Sequence, residues 1–173
     1  KEQGLTIGYT NGLDWPMLVK YYGNRNFTSK LIFHVSMPKP FRLAEQYLIR
    51  AEAYCRKNDF TKAGNDLTAL RKMRYASGGT LNVSKNNWLQ TISDERVREL
   101  YMEGFRLHDL KRWGKEYADL NGGYSIRRTP QSCSQPEGSS LKITPDNPLF
   151  VWPIPQHELE SPGSEILPNE SNR

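Results

Sequence analysis

One segment of the sequence, residues 95–113, concentrates side chains that can perform acid–base chemistry or bind metal. Paired carboxylates act as general acid and base, and carboxylates with an imidazole ligate divalent metals. The segment has four carboxylates and one imidazole: Glu95, Glu99, Glu103, His108 and Asp109. Arginines alternate with these acids, and opposite charges three residues apart on a helix pair with each other. The spacing predicts three pairs within a scaffold helix rather than an active site: Glu103–Arg106, Arg106–Asp109 and Asp109–Arg112.

Other sequence motifs for catalysis are missing. His34, His108 and His157 lie in separate segments, without a second ligand at metal-binding spacing. The sequence has no GxSxG elbow, no glycine-rich phosphate loop and no Cys/His nucleophile pattern. We therefore predict a protein that is not an enzyme, with no cofactor and no metal. A glycosidase would need two carboxylates about 5–9 Å apart across a sugar-sized cleft.

The formal charge of +5 is spread along the chain. The densest basic stretch, Arg71-Lys72-Met73-Arg74, ends a predicted helix, where cations complement the helix dipole. We interpret it as a solvated helix end, and we predict no nucleic-acid partner. No run of eighteen apolar residues predicts a membrane helix. The chain starts at Lys1 without a leader, so we expect a trimmed or C-terminal portion of a larger protein.

Two cysteines occur, and they do not form a CxxC motif. Cys55 falls among apolar positions of a predicted helix and is interpreted as a small buried hydrophobic residue. Cys133 lies in a polar segment. A Cys55–Cys133 disulfide is the less favoured alternative.

Apolar spacing predicts a mainly α-helical single domain, 1–173, with long irregular loops. Residues 1–40 are an irregular lead-in, 41–75 a helix pair, 93–113 a long third helix and 114–173 a loop-rich cap. In the pair, Asn58 is predicted to end the first helix and Asp59 to cap the second. The spacing of the apolar and small residues fits a tetratricopeptide-like pair: Tyr47, Ala51, Tyr54, Ala63, Leu67 and Leu70.

The third helix is predicted to begin at Ser93, a good N-cap residue. Gly104 lies within this helix, where a close crossing by another segment would explain a glycine. The predicted buried stripe is Val97, Leu100, Tyr101, Gly104, Leu107 and Leu110 or Trp113.

Three segments together resemble the SusD/RagB family. Residues 41–53 resemble its R-x-AE-x-YL-x-x-AEA helix, and residues 95–114 its ER-x-x-EL-x-x-EG-x-R-x-x-DL-x-RWG helix. Residues 153–159 resemble its PIP-x-x-E segment, whereas Leu167-Pro168-Asn169 departs from the usual family ending. The resemblance implies structural roles for the matching residues: Arg42, Glu45, Glu95, Arg96, Glu99, Glu103, Gly104, Arg106, Asp109, Arg112, Trp113, Pro153 and Pro155.

The resemblance further implies a surface-exposed lipoprotein of the Bacteroidetes outer membrane, active in polysaccharide utilization. Such proteins are non-catalytic and capture glycans for a SusC-like TonB-dependent transporter. Membrane attachment would come only through a lipid anchor on an N-terminal part. Capture of peptides, or a protein–protein scaffold that docks the transporter, are the alternatives.

Sugar capture would use aromatic rings on irregular segments. The candidates are Trp15, Tyr21, Tyr22, Trp88 and Tyr124. For each ring, packing against the core is an equally good interpretation, and for Trp88 we favour anchoring of a connector. The sequence does not name the glycan.

Overall fold

A computed structural model describes residues 5–10, 13–18, 39–77, 79–127 and 142–172, with only the backbone of the first two ranges. The chain divides into two compact units, residues 1–99 and 100–173. The prediction that the whole chain acts as a single domain stays a prediction. The mainly helical class predicted from apolar spacing is confirmed.

The N-terminal unit begins with an antiparallel hairpin. Strand β1, Leu5–Thr10, pairs with β2, Leu13–Leu18, so that Leu5 lies opposite Leu18 and Thr10 opposite Leu13. The lead-in predicted to be irregular therefore contains two paired strands within its described residues. The signal was available, because Asn11-Gly12 is a dipeptide strongly favoured between hairpin strands.

The predicted helix pair is present in this unit as α1, Leu43–Arg56, and α2, Phe60–Lys72. Asn58 has φ 60°, the left-handed conformation expected at a helix end. The Asp59 side chain accepts a hydrogen bond from the Lys62 backbone N–H at 3.2 Å, which confirms the predicted cap. The core between the helices is built from fully buried residues: Leu48, Ala51, Ala63 and Leu67. Phe41, the first residue of the predicted helix pair, instead precedes α1 and is exposed.

The connector after α2 passes close to that helix. The Leu81 N–H donates to Thr68 Oγ1 at 3.3 Å, and a Cβ added at Gly64 would lie 3.0 Å from the Leu81 carbonyl oxygen. Helix α3, Trp88–Glu99, follows and packs on α1. It begins five residues before the predicted start, and Ser93, predicted as its cap, is buried inside it.

The predicted long third helix is in fact two helices. The chain leaves helical geometry after α3, with φ 60° at Met102 and 83° at Gly104, and α4 then runs from Phe105 to Leu120. Val97 is exposed because α3 buries its other face, with Leu89, Ile92 and Arg96. Tyr101 and Leu107 are exposed because the break removes the continuous helical phase on which the predicted stripe depended. Gly104 is the left-handed residue before α4 and not a helix-interior glycine at a close crossing.

The C-terminal unit contains α4, a small strand pair and a loop-rich end. The strand residues Ile126–Arg127 (β3) and Lys142–Ile143 (β4) are antiparallel, with Ile126 opposite Ile143. A 3-10 turn at Pro148–Phe150, helix α5 at Gln156–Leu159 and a 3-10 turn at Glu170–Asn172 follow. No helix of the described ranges is long and apolar enough to cross a bilayer.

Candidate functional site

The carboxylates singled out in the sequence form a frame that joins helices. Glu99, at the end of α3, accepts two hydrogen bonds from Arg74, from Nε and Nη2, each at 2.9 Å. It also accepts one from Arg42 Nη1 at 2.7 Å, while Arg42 Nη2 donates to the Glu99 backbone carbonyl at 2.8 Å. One carboxylate therefore holds the residue before α1 and the residue shortly after α2.

Glu95, one turn earlier on α3, likewise accepts hydrogen bonds from two arginines, Arg71 of α2 and Arg98 of α3 itself. Its Oε1 accepts from Arg71 Nη2 at 2.5 Å and from Arg98 Nη1 at 2.6 Å. The Glu95 side chain is almost fully buried, so these bonds satisfy a charge that burial would otherwise penalise. The basic stretch 71–74 is therefore not a solvated helix end, because Arg71 and Arg74 are paired across helices.

A third pair connects the first two helices directly. Arg50 of α1 donates from Nε and Nη2 to the two oxygens of Asp66 on α2, at 2.8 and 2.7 Å. This is a bidentate arrangement, which fixes geometry as well as charge. The hydrogen bond to Asp66 raises the pKa of Arg50 above its ordinary value, so that its charge is permanent.

The electrostatics of Glu99 oppose a role as a general acid. Burial raises the pKa of its carboxyl, but the hydrogen bonds and charges of Arg74 and Arg42 outweigh burial and hold that pKa below the ordinary value. A general acid needs the reverse, a pKa raised toward the working pH. Over the described ranges, no three His, Cys, Asp or Glu side chains are grouped to hold a metal ion.

On α4 the charged residues surround an aromatic pair. Arg112 Nε donates to Asp109 Oδ1 at 3.0 Å, which confirms one predicted pair. Arg106 donates from Nη2 to the Tyr117 hydroxyl at 2.8 Å, and its guanidinium lies over the Tyr117 ring at 5.1 Å. The buried Trp113 and Tyr117 rings stack at 5.7 Å. Arg106 thus lies over the buried, stacked rings of Trp113 and Tyr117. Glu103 lies in the break between α3 and α4, and His108 is exposed.

The proline segment 153–155 is held by the end of the chain. The Asn172 side chain accepts from the Ile154 N–H at 3.0 Å and donates to the Ile154 carbonyl at 2.9 Å, as a neighbouring strand would. Asn169 Nδ2 donates to the Trp152 carbonyl at 2.7 Å, and the Ser171 hydroxyl contacts the Val151 carbonyl. We call Asn169, Ser171 and Asn172 the C-terminal clasp.

Comparison of the sequence with known proteins identifies the family of this chain. The SusD family model (SusD_RagB) matches residues 14–164. The chain belongs to the SusD family. It is also similar to the starch-binding protein SusD of Bacteroides thetaiotaomicron, with 37% identity over 111 residues, which cover 62% of this chain and 18% of that protein. The chain therefore spans about a fifth of that relative's length. No solved structure matches it.

In this SusD-family chain, the frame unites two motifs that the sequence shows apart. Arg42 belongs to the first resembling segment, and Glu95 and Glu99 belong to the second. The motif residue Glu45 lies half-buried in the first turn of α1, and Arg96 is buried on α3. A structural role for these residues stays a prediction that their positions favour. The sequence did not identify Arg71 as the partner of Glu95 or Arg74 as a partner of Glu99.

The aromatic ligand candidates of the SusD-family chain are not brought together by the described contacts. Trp88 begins α3, half-buried, with the Arg56 guanidinium 5.0 Å above its ring, which supports anchoring. Tyr124 lies in the C-terminal unit under Lys142 Nζ at 5.1 Å. Trp15 lies in β2, whose side chains are outside the described residues, as are Tyr21 and Tyr22. A ligand role for all five stays a prediction.

Sequence reasoning missed two large exposed aromatic residues. Phe41 is 86% exposed and Trp152 is 81% exposed. Phe41 begins the first family motif and Trp152 directly precedes the third, and neither was among the predicted ligand candidates. The available signal was the neighbouring proline: Trp152 precedes Pro153 in an extended segment, where successive side chains point to opposite sides.

Two further features of the family member concern α1. Cys55 is a free, buried thiol, and burial raises its pKa to about 11, which keeps it protonated and unreactive. Cys133 lies outside the described residues. On the outer side of α1, an open cavity of about 360 Å³ is lined by Leu43, Gln46, Tyr47, Ile49 and Arg50.

Proposed function

We propose that this chain is part of a non-catalytic, surface-exposed glycan-binding protein that passes oligosaccharide to a SusC-like TonB-dependent outer-membrane transporter. The observation that carries the proposal is family membership together with 37% identity to a starch-binding protein. Lipid anchoring at the outer membrane is part of the same proposal, and the described residues would serve as scaffold.

The geometry of the carboxylates supports binding over catalysis. The buried acids of the described chain are engaged by arginines: Glu52, Asp66, Glu95 and Asp109 each bond a guanidinium. Glu99 is engaged twice and has a lowered pKa. A glycosidase needs one carboxyl kept protonated and a second facing it across the sugar. Asp66, Glu95 and Glu99 instead join different helices or segments, whereas Glu52 and Asp109 pair within their own helices.

The test is binding of the full natural protein to a polysaccharide panel, by affinity electrophoresis followed by calorimetry. We expect at least one glycan to bind with favourable enthalpy and to remain intact, with no new reducing ends during prolonged incubation. Release of reducing ends would show an enzyme. Binding to neither glycans nor oligopeptides would refute capture, and binding to oligopeptides alone would select the peptide alternative.

A second candidate function, docking of the transporter, is favoured by the outer face of α1. Leu43 and Ile49 are exposed there beside the cavity that Tyr47 and Arg50 also line. Exposed apolar side chains grouped around a cavity are typical of protein–protein contacts. Co-purification with a TonB-dependent barrel from outer membranes, weakened by Leu43→Glu, would support it. A Leu43→Glu protein that co-purifies in undiminished yield would assign this face to another contact.

A further inference from the structure

The indole of Trp152 is unusual because a large ring is exposed on a backbone that is tightly held. The ring is 81% exposed, although indole is among the side chains that gain most from burial. The backbone carbonyl of Trp152 accepts a hydrogen bond from Asn169. Two residues later, both the N–H and the carbonyl of Ile154 are bonded by the side chain of Asn172. The clasp therefore holds the backbone that carries the ring and leaves the ring uncovered.

The adjoining sequence further limits the motion of this ring. Pro153 and Pro155 fix backbone φ on its C-terminal side. The Asn172 amide also accepts from the Asn169 N–H at 3.2 Å, and Asn169 Oδ1 accepts from the Ser171 N–H at 3.0 Å, so the clasp is braced internally. Because the backbone under the ring is already ordered, only the side-chain torsions of Trp152 would lose conformational entropy when a ligand binds.

Polar groups that suit a hydroxylated ligand follow in the chain. Helix α5 starts at Gln156, four residues after the ring, and exposes the amide of Gln156 and the carboxylates of Glu158 and Glu160. The Gln156 amide donates to the Glu160 carboxylate and the His157 imidazole lies 3.2 Å from the Glu158 carboxylate, so each exposed carboxylate keeps further acceptor capacity for a hydroxyl. Sugar rings have an apolar C–H face and a rim of hydroxyls. They are recognised by a flat aromatic side chain together with amide and carboxylate hydrogen bonds. The combination here matches that requirement.

We propose that Trp152 is a stacking platform for a sugar ring of the bound glycan, positioned by the C-terminal clasp. The inference rests on the proposed function, and it assigns to that function a contact residue outside the predicted ligand candidates. Asn169 and Asn172 are positioning residues, because they touch the Trp152 segment and not the sugar. The exposed Ile166 and Leu167 lie just before the clasp, so coverage of the ring by another protein segment is the competing outcome.

The first experiment is oxidation of tryptophan by N-bromosuccinimide in the full natural protein, mapped by mass spectrometry. The probes are maltoheptaose, cellohexaose and xylohexaose. We expect Trp152 to react quickly and the binding oligosaccharide to slow it at least about fivefold. The buried Trp113 should stay unreactive. An unreactive Trp152 without ligand, or one that a bound oligosaccharide does not protect, would overturn the proposal.

The second experiment measures affinity for the same probe in four variants. Trp152→Ala should raise Kd about tenfold, and Trp152→Phe should raise it less because a smaller ring remains. Asn169→Ala keeps the ring and loosens it, so an intermediate loss is expected. Phe41→Ala is the matched control, since it removes an aromatic ring of similar exposure from the other unit, and Kd should not change.

These results separate the inference from the proposed function. If the wild-type protein binds a glycan and Trp152→Ala binds it equally well, the platform is wrong and glycan capture stands. If the wild-type protein binds no glycan or oligopeptide, capture itself fails and the platform fails with it. Unchanged circular dichroism and melting temperature are required of each variant, and Trp152→Phe serves as the test should Trp152→Ala unfold.

Discussion

Arg42 and Glu99 are joined by two hydrogen bonds although they lie 57 residues apart. Arg42 Nη1 donates to the Glu99 carboxylate at 2.7 Å and Nη2 to the Glu99 backbone carbonyl at 2.8 Å. The Arg42 guanidinium therefore bonds both the side chain and the main chain of Glu99 at the end of α3. Because Arg74 occupies the second carboxylate oxygen, three separate segments meet at one residue.

Replacement of Glu99 by Gln should destabilise the protein, because the Arg42 and Arg74 guanidinium groups lose the counter-charge of a carboxylate that is only 10% exposed. We expect the free energy of unfolding to fall by about 2–4 kcal/mol, as for other paired charges with little solvent exposure. Urea unfolding measures the change. Glu165→Gln is the control, since that carboxylate is exposed, and should change stability by less than about 0.5 kcal/mol. A Glu99→Gln protein as stable as wild type would contradict the frame.

The same pair predicts a dependence of stability on pH. The folded-state pKa of Glu99 lies below its unfolded value, so its contribution is complete above the unfolded pKa of about 4.3 and is lost as pH falls through the folded pKa. The stability difference between wild type and Glu99→Gln should therefore be constant from neutral pH to about pH 5 and shrink below that. Urea titrations at several pH values test this. A difference that grows in acid would mean that the sign is wrong.

Arg106→Ala should lower the melting temperature. The change removes the hydrogen bond to the Tyr117 hydroxyl and the guanidinium over Trp113 and Tyr117. We expect the free energy of unfolding to fall by about 1–3 kcal/mol when these two interactions are lost. Tyr117→Phe should reproduce only the hydrogen-bond part, and Lys111→Ala, at an exposed site of α4, should have little effect. Unchanged stability with lost glycan binding would reassign Arg106 to the ligand.

Gly64→Ala sets helix propensity against a close approach. Alanine should favour α2 by roughly 1 kcal/mol, yet its Cβ would meet the Leu81 carbonyl at 3.0 Å. Since the hydrogen bond to Thr68 holds Leu81 in place, we expect net destabilisation of about 1–2 kcal/mol. Thermal unfolding measures it, with Asn65→Ala, exposed on the same helix, as the control that should be neutral or stabilising. A stabilised Gly64→Ala would show that the connector yields freely.

Asn172→Asp should release the proline segment. Both halves of the amide are used on Ile154, and a carboxylate keeps the acceptor but loses the donor. The carboxylate also repels the Ile154 carbonyl oxygen that the amide had bonded, so the segment should separate from residue 172. We therefore expect faster hydrogen exchange of the Ile154 amide, with a small change in global stability of about 1 kcal/mol. Exchange measured by mass spectrometry over residues 148–172 tests this. Asn65→Asp should leave the segment protected, and unaltered protection in Asn172→Asp would show that the clasp does not hold it.

Local spacing in the sequence determined much of the helical structure. The apolar period predicted α1 and α2, and Asn58 and Asp59 marked the turn between them, because caps and periodicity act over about four residues. The Asp109–Arg112 pair was predicted for the same reason. Family membership was also predicted correctly, from three short motifs in the right order.

Tertiary structure alone decided which charges meet and where the third helix breaks. The partners of Glu99 come from segments far along the chain, and no local rule shows which helix faces will pack together. The break depends on a left-handed conformation at Met102. Methionine rarely adopts this conformation, so its presence in the sequence does not predict a break. The clasp likewise depends on Asn172 reaching Ile154, 18 residues away. The local elements follow from the sequence because they depend on short-range sterics. The long-range pairs depend on packing, because only packing brings the two side chains of each pair within hydrogen-bonding distance.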